Sequence, residues 1–189
     1  MALIDRETRH AQAGREACIK AKMNSLCDPG IIEALYRASA AGVHIELIVR
    51  GICCLRVGIE GVSENIEVRS IVGNFLEHSR IFYFYNNGDS EIYMGSADWM
   101  PRNLDRRVEI VFPVLEEKLK EKALHVLELE LEDNVKARIM QADGNYTRVD
   151  RRGKQSVNSQ EIFAQEAKDA VPQPSVLSGE RVFTPAEPL

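Results

Sequence analysis

Asn74-Phe75-Leu76-Glu77-His78-Ser79-Arg80-Ile81-Phe82-Tyr83-Phe84, followed by Gly95-Ser96-Ala97-Asp98-Trp99-Met100, is the stretch on which the reading of this chain turns. A histidine and an arginine two residues apart project to the same face of a strand. The β-branched and aromatic run from Ile81 to Tyr85 predicts such a strand. A neutral imidazole attacks phosphorus or passes a proton near neutral pH, and a guanidinium holds two phosphate oxygens at once. His78, Arg80 and the Gly95-Ser96 turn are therefore the residue types that handle a phosphoryl group. The residue types alone fit equally well a histidine that only caps a strand.

Working outward, residues 5 to 13 read as the end of a helix closing at Gly14, and residues 18 to 24 alternate isoleucine and methionine with lysine, as a strand does. Asp28-Pro29 is an N-cap followed by proline at the first helical position. Gly42 stands where a left-handed cap belongs, and Ile31, Ile32, Leu35 and Tyr36 recur at helical spacing between them, predicting a helix over 29–41. Residues 43–49 form the next strand. A strand-helix-strand unit implies parallel pairing with a right-handed crossover. Arg50 follows at the carboxyl end of that second strand, where open α/β sheets place ligands.

The glycine-punctuated stretch 51–65 reads as a long loop and 66–71 as a third strand. Strands over 79–85 and 91–95 flank Asn86-Asn87-Gly88-Asp89, a sequence suited to a hairpin, and 107–114 is a further strand. Residues 116–133 form a charged helix with Leu119, Ala123, Leu124, Leu127 and Leu131 as its apolar stripe; its charges read as a solvated face. The expected fold is an α/β domain with a mixed, mainly parallel sheet flanked by helices. Hydrophobic density drops from about Gln141, so the domain is expected over 1–140 and an extended or disordered tail over 141–189. Pro172, Pro174, Pro185 and Pro188 break any continuous element near the end.

At 189 residues the chain suits one domain plus a tail. A formal charge of −5 and a pI of about 5.5 argue against non-specific binding of nucleic acid or anionic membranes. No apolar run approaches a membrane span, and the start of the chain lacks a signal-peptide core, so a cytoplasmic location is expected. Cys18, Cys27, Cys53 and Cys54 show no C-x-x-C spacing; they read as reduced thiols, and no metal site is expected among these residues.

No lysine lies between Lys22 and Lys118, whereas Arg37, Arg50, Arg56, Arg69, Arg80, Arg102, Arg106 and Arg107 all do. A planar fork of donors that keeps its charge when desolvated suits successive phosphates. Several of these arginines are expected to pair with Glu64, Glu67, Asp98 or Asp105, leaving Arg50, Arg80 and Arg107 as the phosphate candidates. Ser96 offers an amide and a hydroxyl to an anion, or serves only the turn. Trp99 is expected to pack the loop, and His10, His44 and His125 to be structural.

Four separated blocks, 48–56, 69–73, 75–80 and 95–107, together resemble the C-terminal catalytic domain of bacterial polyphosphate kinases, over roughly residues 2–140. That resemblance implies a phospholipase D-like fold with two similar halves, each contributing a histidine, of which this chain carries the second. It implies reversible transfer of the ATP γ-phosphate to polyphosphate through a phosphohistidine on the upstream half. His78 would assist as proton donor or acceptor and as a nucleotide contact, and Arg50 would hold nucleotide phosphate. Magnesium is expected in the full enzyme, with ligands mainly outside this chain. The phospholipase D signature places lysine two residues after its histidine and ends in Gly-Ser-x-Asn; here Arg80 and Gly95-Ser96-Ala97-Asp98 stand instead, departures that match the kinase family's own version.

The expected partners are ATP or ADP, polyphosphate and the upstream domains of the same enzyme, with a homo-oligomer left open. Two other readings remain: a non-catalytic module that binds polyphosphate or nucleotide, and a phospholipase D-like phosphodiesterase that joins two copies of His78 in a homodimer.

Overall fold

The computed structural model describes residues 1–171. The chain runs α1 (Ala2–Gln12), β1 (Cys18–Met23), α2 (Pro29–Ala40), β2 (His44–Val49), β3 (Ile66–Ile71), β4 (Ile81–Phe84), β5 (Glu91–Gly95), α3 (Pro101–Asp105), β6 (Val111–Pro113), α4 (Glu117–Glu132), β7 (Ala137–Met140), β8 (Tyr146–Arg148) and α5 (Ser159–Ala170). Asp28 caps α2 by accepting the Ile31 amide at 2.9 Å, and Gly42 takes the left-handed φ of +97° that ends this helix cheaply. The expected helix and its flanking strands therefore stand within a residue or two of their expected bounds.

The described strands form one sheet in the order β6-β5-β4-β1-β2-β3-β7-β8. The sheet is mixed, as expected, but it is not mainly parallel. Only β1–β2 and β2–β3 pair in parallel, and the other five pairings are antiparallel. The two parallel pairs are joined by connections that return the chain to the same end of the sheet, α2 after β1 and residues 50–65 after β2, whereas the Asn86–Gly88 turn joins β4 to β5 as a hairpin. On one face Ile4 of α1 and Ile31, Leu35 and Ala38 of α2 pack over Ile19, Ala21, Ile45 and Leu47. On the other, Ala123 and Leu127 of α4 cover Ile48, Ile71, Ile81 and Ile92. This is the layered burial that a sheet with helices on both faces requires.

Three expectations are corrected. The strand expected over 107–114 is only Val111–Pro113, preceded by the short helix α3. The strand expected from Ser79 starts at Ile81, opposite Lys22. Beyond that point the Asn24 amide donates to Asp98 Oδ1 at 2.7 Å, and β1 ends. The tail expected over 141–189 holds β8 and α5 among its described residues. Their composition hid them because polar contacts hold them: Asp133 accepts the Ser159 amide and hydroxyl, each at 2.8 Å, and a tight turn over 141–145 pairs β8 with β7. The expectation for residues 172–189 lies outside the described residues.

Candidate functional site

Parallel pairing brings the carboxyl ends of β1, β2 and β3 to one end of the sheet. The antiparallel partners deliver the start of β4, the end of β5 and the start of β6 to that same end. Arg50, His78, Arg80, Ser96 and Arg107 therefore all lie at one sheet end, although they span 58 positions of sequence. The long-range pairing unites what the sequence scatters.

A continuous polar network links three of them. Arg50 Nε donates to Asn24 Oδ1 at 2.8 Å and its Nη2 donates to the same oxygen. The Asn24 amide donates to Asp98 Oδ1 at 2.7 Å. Asp98 receives Arg80 as a fork, Nε to Oδ1 at 3.0 Å and Nη2 to Oδ2 at 3.1 Å, and Arg80 Nη1 donates to the His78 carbonyl at 2.8 Å. Arg50 meets an amide oxygen rather than a carboxylate, so its charge is not neutralised by an ion pair among the described residues. Arg80 is the opposite case, as its charge is spent on a buried aspartate.

His78 and Arg80 do not share a strand face. Both precede β4, His78 is exposed, and Arg80 turns inward to Asp98. Ser96 has neither donor free: its amide donates to the Ile110 carbonyl at 3.0 Å and its hydroxyl to Glu109, while the hydroxyl oxygen accepts the Ile110 amide at 3.1 Å. Asn103 donates to the same carboxylate, and Arg107 Nη1 stands 3.7 Å from it. The Ser96 hydroxyl and the Asn103 amide hold the Glu109 carboxyl below the usual carboxylate range. Trp99 packs as expected, stacked on Phe82 with ring centroids 5.2 Å apart.

Sequence reasoning missed Asn24, Glu109 and a buried ionic cluster beneath the loop that carries His78. Lys22 Nζ lies 2.6 Å from Glu77 Oε2 and 2.7 Å from Glu130 Oε1. The solvated face expected of the α4 charges is corrected at Glu130, which is 0% exposed. Burial drives the Glu130 carboxyl up to about 8, against the opposing pull of Lys22. Burial also acts to raise Glu77, but the Lys22 ammonium outweighs it and leaves Glu77 below the ordinary value. The only sequence signal was Lys22 itself, the last lysine before a long stretch without one.

The four cysteines are free thiols, and burial foremost pushes Cys18, Cys27 and Cys53 up to about 11, leaving them poorly nucleophilic near neutral pH. Among the described residues no group of three or more His, Cys, Asp or Glu is placed to hold a metal ion, and no described helix is long and apolar enough to cross a membrane.

The mixed sheet flanked by helices has the phospholipase D-like fold. A phospholipase D family member, Nuc from Salmonella typhimurium, aligns with a TM-score of 0.50 and 16% identity over 70% of this chain and 87% of that one, a likeness of fold alone. Within that class the chain belongs to the family described as polyphosphate kinase C-terminal domain 2, whose model matches residues 1–160. It is 55% identical over 168 residues to the polyphosphate kinase of Lactiplantibacillus plantarum, covering 89% of this chain and 23% of that protein. The crystal structure of polyphosphate kinase from Porphyromonas gingivalis aligns with a TM-score of 0.85 and 41% identity over 89% of this chain and 26% of that one. The chain thus spans about a quarter of the length of these two polyphosphate kinases.

Proposed function

We propose that this chain is the C-terminal half of the catalytic region of a polyphosphate kinase, which transfers the ATP γ-phosphate reversibly to polyphosphate through a phosphohistidine on the upstream half of that region. The observation that carries this reading is that one sheet end holds both Arg50, which has no carboxylate partner among the described residues, and the exposed His78. Phosphoryl transfer through a loose transition state asks for positioning and charge neutralisation above covalent help. Arg50 supplies charge to the nucleotide phosphates. His78 moves a proton and contacts the nucleotide, and its exposed ring leaves the reacting group room to approach.

Arg80 serves the site in a different way from the phosphate fork expected of it. Asp98 and the His78 carbonyl take three of its five N–H groups, so its first task is to hold the His78 main chain. Only the remaining two can reach a phosphate oxygen. Arg107, at the rim beside Glu109, is an outer contact for a long anionic chain, and Ser96 fixes the β5–β6 turn unless Glu109 releases it. Magnesium, implied for the whole enzyme, finds no ligand cluster in the described residues.

Three assays on one preparation of the longer enzyme carrying this sequence test the reading: transfer from γ-labelled ATP to polyphosphate, phosphodiester hydrolysis, and nucleotide binding. Transfer is expected, with His78→Ala lowering the rate by roughly two to four orders of magnitude and this chain alone making no polymer. Hydrolysis of a phosphodiester without phosphate transfer, or binding without either, would replace the proposal.

A further inference from the structure

Among the described residues the loop from residue 72 to residue 80 has no apolar anchor. Val72, Phe75 and Leu76 are 70%, 62% and 69% exposed, yet the loop carries His78. Polar contacts hold it instead. Gln160 at the start of α5 accepts the Phe75 amide on Oε1 at 3.0 Å and donates from Nε2 to the Phe75 carbonyl at 2.9 Å, closing a two-point grip on the main chain. The same Nε2 donates to Glu77 Oε1 at 2.8 Å. The other Glu77 oxygen meets Lys22, which is 2% exposed and also touches Glu130.

One ammonium facing two carboxyls out of water balances only one negative charge, so the second carboxyl keeps its proton. Burial drives the Glu130 carboxyl up to about 8, whereas Glu77, held by the Lys22 ammonium, stays below the ordinary carboxylate value. Burying such groups is costly, and a purely apolar filling serves stability at least as well. What this cluster does that apolar residues cannot is grip Glu77 and, through Gln160, the Phe75 main chain, both just ahead of His78. On the far side Arg80 fixes the His78 carbonyl. The histidine is tied from both flanks while its ring stays free.

We propose that Lys22, Glu77, Glu130 and Gln160 form a positioning clamp that fixes the 72–80 loop and so presents the His78 ring at the sheet end where Arg50 stands. This rests on the reading of His78 as a catalytic group. None of the four touches substrate; each acts through the loop. Residues beyond 140 thereby contribute to the site, since Gln160 comes from α5.

Gln160→Ala removes the grip on Phe75 and leaves the Lys22 ion pairs in place; Lys22→Met removes the ionic part. In this chain Gln160→Ala is expected to speed amide hydrogen exchange across residues 73–80 by about tenfold while exchange in β1 and β2 is unchanged. In the longer enzyme it is expected to lower kcat by about tenfold with KM for ATP within about twofold, because Arg50 is held by Asn24 and not by the clamp. Lys22→Met should do the same if it folds, and Gln160→Ala decides the matter if it does not. Unchanged exchange over 73–80 overturns the clamp. So does faster exchange with kcat unaltered, or an equal rise in KM and fall in kcat. If the wild-type enzyme transfers no phosphate, the proposed function falls, and the exchange measurement alone decides whether the clamp holds the loop.

Discussion

The Arg80 guanidinium and the Asp98 carboxylate meet as two forks, at 3.0 Å and 3.1 Å, with both side chains mostly buried. Asp98 also takes the Asn24 amide, so one carboxylate joins the end of β1 to the start of β4. Asp98→Asn leaves the buried Arg80 charge without its counter-ion and should cost about 3–5 kcal/mol of stability, the range for breaking a buried pair. Arg80→Lys keeps the charge but not the fork, and should cost on the order of 1–3 kcal/mol. Denaturant unfolding measures both; stability within error of wild type for Asp98→Asn would remove the pair from any structural role.

Arg50 makes no ion pair among the described residues, so its loss should fall on ligand rather than on stability. Arg50→Ala is expected to weaken nucleotide binding by about tenfold to a hundredfold, the equivalent of one or two charge-assisted hydrogen bonds, with little change in melting temperature. Isothermal titration with ATP against the wild type checks it. Asn24→Ala, which frees the guanidinium without removing it, should weaken binding less than Arg50→Ala does.

Glu130 makes stability fall with rising pH. Its folded pKa of about 8 stands above the unfolded value of 4.5, so the folded chain binds this proton more tightly than the unfolded one. The stabilisation is complete below pH 4.5 and is lost as pH rises to about 8. Glu130→Gln keeps the shape and removes the titration, so its melting temperature should gain on that of wild type from pH 5 to pH 8 and then level off. A constant difference across that window would show that Glu130 does not hold its proton in the fold.

Gly95 has no room for a side chain. A Cβ there would collide with the Ile110 carbonyl oxygen and meet Val111 Cγ2 at 3.0 Å. Because that contact is with backbone, Gly95→Ala should push β6 away from β5 and cost about 1–3 kcal/mol, the usual range for overpacking. It should also loosen the Ser96 amide's bond to the Ile110 carbonyl, which faster hydrogen exchange at that amide will report.

Much of the fold was legible because its signals are local. Asp28, Pro29 and Gly42 bound α2 through contacts made within a few residues, and β3 and β5 stand at their expected limits because alternation and turn residues mark them. Arg50 was placed at a strand's carboxyl end by the same short-range pattern. Where local signals failed, polar contacts at long range had taken over. The helix α5 lacks a strong apolar stripe and was missed, because Asp133 and Phe75, rather than a core, hold its first turn.

The sequence by itself determined that this is an α/β chain of the polyphosphate kinase family, with Arg50 and His78 as residues to watch, since strand and helix periods, caps and motif blocks are written in neighbouring positions. Only the tertiary structure decided which charges are available for chemistry. Arg50 and Arg80 are the same residue type near strand ends, yet one faces an amide and the other a buried aspartate 18 positions away. Lys22 alternates with apolar residues like any outward lysine, but α4 covers that face and brings Glu130 to it, while Glu77 arrives from 55 positions downstream. Pairing and desolvation of a charge depend on what the fold lays over it, and no local pattern encodes that.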